Sequence, residues 1–299
     1  MQLNIHGHDA YCYTGGKTFD PSLPTAVFIH GAQNDHSVWV LQTRYFAHHG
    51  FGVLAVDLPG HGRSKGAPLA SVEAMADWLL ALLDAAGVER ATFIGHSMGS
   101  LIALEAAFRA PQRVARLAMV GTAYPMKVSD TLLDASRDDE PAAIDMVNIW
   151  SHSSIAPKPS SPAPGFYVMG GSRRLMQYVS RQNPAKVFFT DFSACNAYQN
   201  GAAAAAALAC PVLFLLGQRD MMTPPKAALG LAATITDAQV LRIEGCGHAL
   251  MRNNRTRSWM RFTNFPGMTE YIEISEGRYP ILAVISGSIY PPQGAGRVF

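Results

Sequence analysis

The chain has 299 residues, 48% of them apolar and 15% charged, with a formal net charge of +2 at pH 7. That length holds a large core and suits one α/β domain with an insertion, and the composition excludes a disordered chain. The charge is too near balance to suggest a nucleic-acid partner, and no apolar stretch reaches the length of a membrane span. Met1–His6 lacks the basic-then-apolar pattern of a leader. Cys12, Cys195, Cys210 and Cys246 stand without ligand spacing and read as reduced, buried thiols of a cytoplasmic protein.

In chain order, Leu3, Ile5, Tyr11 and Tyr13 around the turn-like Gly7-His8-Asp9 predict a β-hairpin at a sheet edge. Thr25–His30 is a continuous apolar strand that Gly31 ends. A helix follows between His36 and Gly50, then the strand Gly52–Asp57 and the turn-rich loop Leu58–Ser64. Ser71–Gly87 has helical periodicity, with Gly87 as its C-cap. Ala91–Ile94 is a strand, Ser100–Phe108 a helix closed by Pro111, and Arg116–Gly121 another strand. Apolar strands alternating with helices mean a mostly parallel sheet covered on both faces.

That alternation stops near Tyr124 and resumes with the strands Val212–Gly217 and Gln239–Ile243. Between them come helical stretches near Ser129–Ser151, Ser172–Gln182 and Asn183–Leu208, and a Pro/Ser/Gly-rich loop at Ala156–Gly165. The reading is a core at 1–123 and 209–251 with a helical insertion, 124–208, acting as a lid over the C-terminal edge of the sheet. Met126, Met146, Trp150, Phe166, Met169, Met176, Phe188, Phe189 and Phe192 could line an apolar pocket there, but for any single one packing of the lid on the core is the favoured reading.

Gly95-His96-Ser97-Met98-Gly99 fits Gly-x-Ser-x-Gly between a strand and a helix. The sharp turn demands small residues two places before and after the serine, and the two glycines meet that demand. A serine hydroxyl is a poor nucleophile near neutral pH and needs a base, which in turn needs an orienting carboxylate. Asp220, in Gly217-Gln218-Arg219-Asp220, directly follows a buried strand, and His248, in Gly245-Cys246-Gly247-His248, directly follows the last one. Ser97, Asp220 and His248 stand in the Ser…Asp…His order of one particular fold.

With these residues the chain resembles the α/β-hydrolase superfamily, in particular its lidded bacterial esterase-like members. The resemblance covers residues ~20–250 and rests on His30-Gly31, Asp57–Ser64, Gly95–Gly99, Gly217–Asp220 and Gly245–His248. It implies an α/β-hydrolase fold with Ser97 as nucleophile, His248 as base and then acid, and Asp220 as orienter. It also implies an oxyanion hole made by the backbone N–H groups of Met98 and Ala32. His30 would brace the oxyanion loop, Asp35 would cap a helix, and Asp57 and His61 would form a structural turn. His96, Met126 and Trp150 are candidate pocket residues. No His/Cys/Asp cluster has metal spacing and no Gly-rich phosphate loop is present, so no cofactor or metal is implied. The expected reaction is hydrolysis of a small carboxylic ester or related acyl compound through an acyl-enzyme. Hydrolysis of a carbon–carbon bond in a vinylogous diketone, and ligand binding without turnover, stand as alternatives; oligomeric state is not readable.

The family follows its catalytic histidine with a C-terminal helix, whereas Met251–Pro266 is cationic with no clear amphipathic face. Back-translated from Met251 with G or C at third positions and read in the shifted frame, it begins Ala-Glu-Gln-Pro-Asp-Ala-Val-Leu-Asp-Ala-Leu-His. That sequence has proline and acids near a helix start and apolar residues at helical spacing. The expectation is a frameshift near Met251 that leaves 252–299 as an atypical tail; a genuine family-specific extension is the alternative. The encoding DNA decides between them.

Overall fold

A computed structural model of the chain describes residues 1–153 and 168–252. The expected loop at 156–165, Phe166, and the tail beyond 252 with its frameshift question lie outside the described residues. The apolar runs of the sequence become strands because their side chains are buried on both faces of one sheet. These are β3 (Thr25–Ile29), β4 (Gly52–Val56), β5 (Ala91–His96), β6 (Val114–Val120) and β7 (Val212–Gly217), followed by the more exposed β8 (Ala238–Ile243). The expected hairpin is formed by β1 (Gln2–Ile5) and β2 (His8–Tyr13), antiparallel to each other. Its turn sits at His6-Gly7, one place before the expected residues, with φ of 51° and 84°. A two-residue hairpin turn of this hand needs positive φ at both central positions, and Gly7 supplies the second cheaply.

The eight strands run in the order β1-β2-β4-β3-β5-β6-β7-β8. β2 meets β4 antiparallel, and every pairing from β4 to β8 is parallel. Ile29 lies opposite Gly95, His96 opposite Val120, Val120 opposite Leu215, and Gly217 opposite Ile243. The loops leaving β3, β5, β7 and β8 therefore gather at one edge of the sheet, where ligands of open α/β sheets bind.

Helices cover both faces. On one lie α2 (Val72–Ala85) and α3 (Met98–Arg109), whose Leu79, Leu82, Leu101 and Leu104 pack against Val27, Phe93 and Phe214. The Ser71 hydroxyl accepts the Ala74 N–H at the start of α2, and Gly87 ends that helix with φ of 67°. On the other face α1 (Val40–His48), entered through a short 3-10 turn at His36–Trp39, packs Phe46 on Phe28 and Val53. Between β6 and β7 come α4 (Asp130–Asp138), α5 (Glu140–Ser151), α6 (Val168–Gln182), α7 (Val187–Ala197) and α8 (Gly201–Ala206). The stretch read as helical at Ser129–Ser151 is broken at Asp139, which caps α5 ahead of Pro141 in its first turn. Helices α4 to α7 share their own cluster of Leu132, Ala143, Ile144, Met176, Phe188 and Phe192. By contrast α8, with Ala204 and Ala205, joins the core beneath α3. Helix α9 (Lys226–Ala233) completes that face. No described helix is long and apolar enough to cross a membrane.

Candidate functional site

Ser97 joins β5 to α3 with φ of 52° and ψ of −120°. A non-glycine residue held at positive φ costs of order 1–3 kcal/mol and persists only where its surroundings impose it. Here they do: a Cβ on Gly95 would lie 2.1 Å from the Gly99 carbonyl oxygen, and one on Gly99 would lie 2.4 Å from that of Ile29. The Ser97 N–H is tied to the Val120 carbonyl at 2.9 Å. Its own carbonyl accepts the Ser100 N–H and hydroxyl. The turn is thus clamped from β3, from β6 and from the first turn of α3.

Asp220 follows β7 and is buried. Its Oδ1 accepts the N–H groups of Met222 (2.9 Å) and Thr223 (2.8 Å). Its Oδ2 accepts the Thr223 hydroxyl at 2.8 Å and lies 2.8 Å from His248 Nδ1. Burial by itself would raise this carboxyl; the adjacent His248 and the donors of Thr223 outweigh it and hold the group below the usual carboxylate range.

His248 lies in the loop after β8. That loop is fastened to the Asp220 loop by the Arg219 N–H on the Cys246 carbonyl, at 2.8 Å. The backbones approach so closely that a Cβ on Gly217 would meet the Gly247 oxygen at 2.3 Å. The end of α5 is tied in as well, through the Ala249 N–H on the Ser151 carbonyl and the Ser153 hydroxyl on the Gly245 carbonyl. With Nδ1–H given to Asp220, the Nε2 atom of His248 is an acceptor. Ser97 and His248 border the same cavity, with no hydrogen bond between them.

Ala32 and Met98 flank Ser97 from the β3 loop and the start of α3. Neither backbone N–H has a protein acceptor among the described residues. The buried His96 gives its Nε2–H to the His248 carbonyl at 3.0 Å, and its Nδ1 has no partner. Burial, aided by His248, pushes the His96 imidazole down to about 3, so it stays neutral near neutral pH. His30 is likewise neutral: burial and His61 push it down to about 4. Its Nδ1–H donates to the Gly31 carbonyl while Nε2 accepts the Leu58 N–H, the bracing expected of it.

Ser97 stands between two cavities. One, of about 50 Å³, is bordered by His96, Ser151, His248 and Met251. The other, of about 150 Å³, is bordered by Met126, Leu132, Trp150, Cys195 and Thr223. Ala32, Phe192 and Met222 belong to both walls. The three expected pocket residues, His96, Met126 and Trp150, are therefore brought to the cavities on either side of the serine.

Sequence reasoning missed three residues here. Thr223, besides serving Asp220, sits 3.0 Å from His248 Nδ1; its place three residues after the aspartate was the available signal. Gln33 has φ of 56°, is fully buried, and directly follows Ala32. Its N–H donates to Asp191 Oδ2 on α7 (2.8 Å), and its amide reaches the Met176 carbonyl and Ser180 hydroxyl on α6. The same Asp191 oxygen lies 2.9 Å from His61 Nε2, and both residues are buried. One cluster escaped the expectation that no metal-type grouping exists: ligand atoms of Asp35, His36 and Asp57 lie within 4.8 Å of one another. Protein donors already engage them. Asp57 accepts the His36 N–H, its ring nitrogen and the Arg63 N–H, and Asp35 caps the Ser37 N–H.

A mostly parallel sheet with a strained serine turn after β5, and an aspartate–histidine pair in the loops after β7 and β8, sets the frame for comparison with known proteins. A family model described as the alpha/beta hydrolase fold matches residues 24–150, and one described as TAP-like protein matches 189–259. Pimeloyl-[acyl-carrier protein] methyl ester esterase of Aromatoleum aromaticum is 31% identical over 252 residues, covering 76% of this chain and 91% of that protein. The dihydrolipoyllysine-residue acetyltransferase component of the acetoin cleaving system of Cupriavidus necator is 40% identical over 100 residues, 32% of this chain. The chain spans only 26% of that relative's length. Among solved structures, Est816, an N-acyl homoserine lactone degrading enzyme, superposes with a TM-score of 0.69 at 24% identity, covering 84% of this chain and 95% of Est816. The chain belongs to the α/β-hydrolase superfamily.

Proposed function

We propose that the protein is a serine hydrolase that cleaves a small carboxylic ester or related acyl compound through an acyl-enzyme. The observation that carries the reading is the 2.8 Å contact of Asp220 with His248 beside a serine held at positive φ. His248 Nε2 takes the proton as Ser97 Oγ attacks the carbonyl carbon. The oxyanion that forms is held by the N–H groups of Ala32 and Met98, with the N-terminal end of α3 adding its dipole. His248 returns the proton to the leaving alkoxide, and water then frees the acyl group by the same steps in reverse. Asp220 fixes the tautomer of His248 and stabilises it when protonated. Helices α4 to α7, within 124–208, serve as the lid. The similarity to a methyl ester esterase along three quarters of the chain favours an ester over other acyl compounds.

Labelling of the full chain with a fluorophosphonate probe, with Ser97→Ala as control, tests this reading. Labelling that disappears in Ser97→Ala supports it. A folded protein that takes no label overturns the nucleophile and leaves ligand binding as the role. Turnover of a vinylogous diketone but of no ester would retain the serine and replace the reaction with carbon–carbon hydrolysis.

A further inference from the structure

We infer that the preferred substrate pairs a small alcohol with a longer apolar acyl group; this rests on the serine-hydrolase reading. The argument is one of sides. His248 borders the cavity of about 50 Å³ and not the one of about 150 Å³, while Ser97 borders both. When the Ser97 Oγ–carbonyl carbon bond forms, the carbonyl oxygen takes the negative charge and turns to the Ala32 and Met98 N–H groups. Two substituents then remain on that carbon: the alkoxy oxygen and the acyl chain. The carbon–alkoxy bond breaks productively only if His248 delivers to that oxygen the proton it took from Ser97. The alkoxy group must therefore lie on the His248 side, in the smaller cavity, and the acyl chain falls into the larger.

The two volumes suit those occupants. The larger cavity presents Met126, Leu132, Trp150 and Phe192, apolar surface that rewards each methylene it takes from water. Its one charged lining residue, Lys127, is exposed to solvent. The smaller cavity is also largely apolar, with Val38, Val147, Met176 and Met251 beside His96 and Ser151, so its volume of about 50 Å³ against about 150 Å³ is what favours the shorter group there.

Two ester isomers separate the alternatives: methyl hexanoate and pentyl acetate contain the same atoms with the chain on opposite sides of the scissile bond. The full chain is expected to hydrolyse methyl hexanoate with kcat/KM at least about tenfold higher, given roughly fourfold per well-buried methylene. Val128→Trp, which narrows the larger cavity, should lower the ratio of methyl hexanoate to methyl acetate hydrolysis. Equal rates on the two isomers, or a preference for pentyl acetate, overturn the assignment. So does a protein that takes the fluorophosphonate label at Ser97 yet cleaves neither. A folded protein with no labelling and no turnover overturns the serine reading itself, and the assignment with it.

Discussion

Replacing Asp191 with alanine is expected to damage both the stability of the protein and the proposed oxyanion hole, although Asp191 borders neither cavity. One carboxylate oxygen accepts from the Gln33 N–H at 2.8 Å and faces His61 Nε2 at 2.9 Å, with both side chains of the ion pair at most 1% exposed. Burial by itself would lower the His61 imidazole; the charge and hydrogen bond of Asp191 outweigh it and leave the ring above its ordinary value. Removing one partner of such a pair leaves an uncompensated buried group and costs about 3–5 kcal/mol. For a chain of this size that lowers Tm by about 6–20 °C. Because Gln33 adjoins Ala32, the loop that carries the proposed oxyanion donor loses its tether to α7. The loss in kcat has a ceiling of about 10²–10³, the effect of removing one oxyanion donor outright. A His with a raised folded pKa stabilises fully below its unfolded value near 6.5 and loses that contribution as pH rises through the folded value. The Tm gap between wild type and Asp191→Ala is therefore widest near pH 6 and narrower at pH 9. Thermal unfolding at the two pH values, with ester turnover, checks this, and Asp191→Asn, which keeps an acceptor, should recover part of kcat. An equal Tm gap at both pH values together with unchanged kcat would refute the reasoning.

Further outcomes follow from other parts of the fold. Thr223→Val removes a hydroxyl donor from the Asp220 carboxylate, worth about 1.5–3 kcal/mol. Asp220, with its depressed pKa, stabilises the fold above the unfolded value near 3.9 and loses that as pH falls through the folded value. The midpoint of acid unfolding, followed by tryptophan fluorescence, should move to higher pH in Thr223→Val. Gly99→Ala would force a Cβ to 2.4 Å from the Ile29 oxygen and should leave little folded protein. Gly50→Ala, with φ of 85° and no atom within 4 Å, should cost only about 1 kcal/mol, read from urea midpoints. His30 and His96 stay neutral in the fold but charge in the unfolded chain below pH 6.5, so each contributes stability that is lost as pH falls. Stability should fall between pH 6 and pH 5, and fall less steeply in His96→Gln, measured by urea unfolding at the two pH values.

The strands were legible because a sheet covered on both faces demands unbroken apolar runs, and Thr25–Ile29 and Val212–Gly217 are such runs. Asp220 and His248 stood out for a related reason: each directly follows a strand, and parallel strands deliver their following loops to one edge. Helix breaks were harder. Periodicity runs through Asp139 and Pro141, and only the side-chain cap separates α4 from α5. The Gln33–Asp191–His61 contacts were not legible at all. They join residues 158 and 130 positions apart, and nothing local about an aspartate mid-helix announces its partners. Thr223 lay between these extremes, near enough to Asp220 to be suspected but assigned only by its hydroxyl geometry. The Asp35–His36–Asp57 cluster likewise forms only when β4 packs beside the loop after β3.

The order of strands across the sheet also dictates when the site can exist. Ser97 sits on the β5 turn, but the wall facing it needs β7 and β8, which reach the sheet only after the chain has passed through α4 to α8. Ser97 and His248 are 151 positions apart in the chain, so closing the cavity between them is among the most non-local events in folding. Such contacts form slowly, because loop-closure entropy is spent before any packing offsets it. On dilution from denaturant, helical signal should therefore return ahead of fluorophosphonate reactivity. The lag between the two measures how long the chain carries a complete serine turn before His248 reaches the cavity beside it.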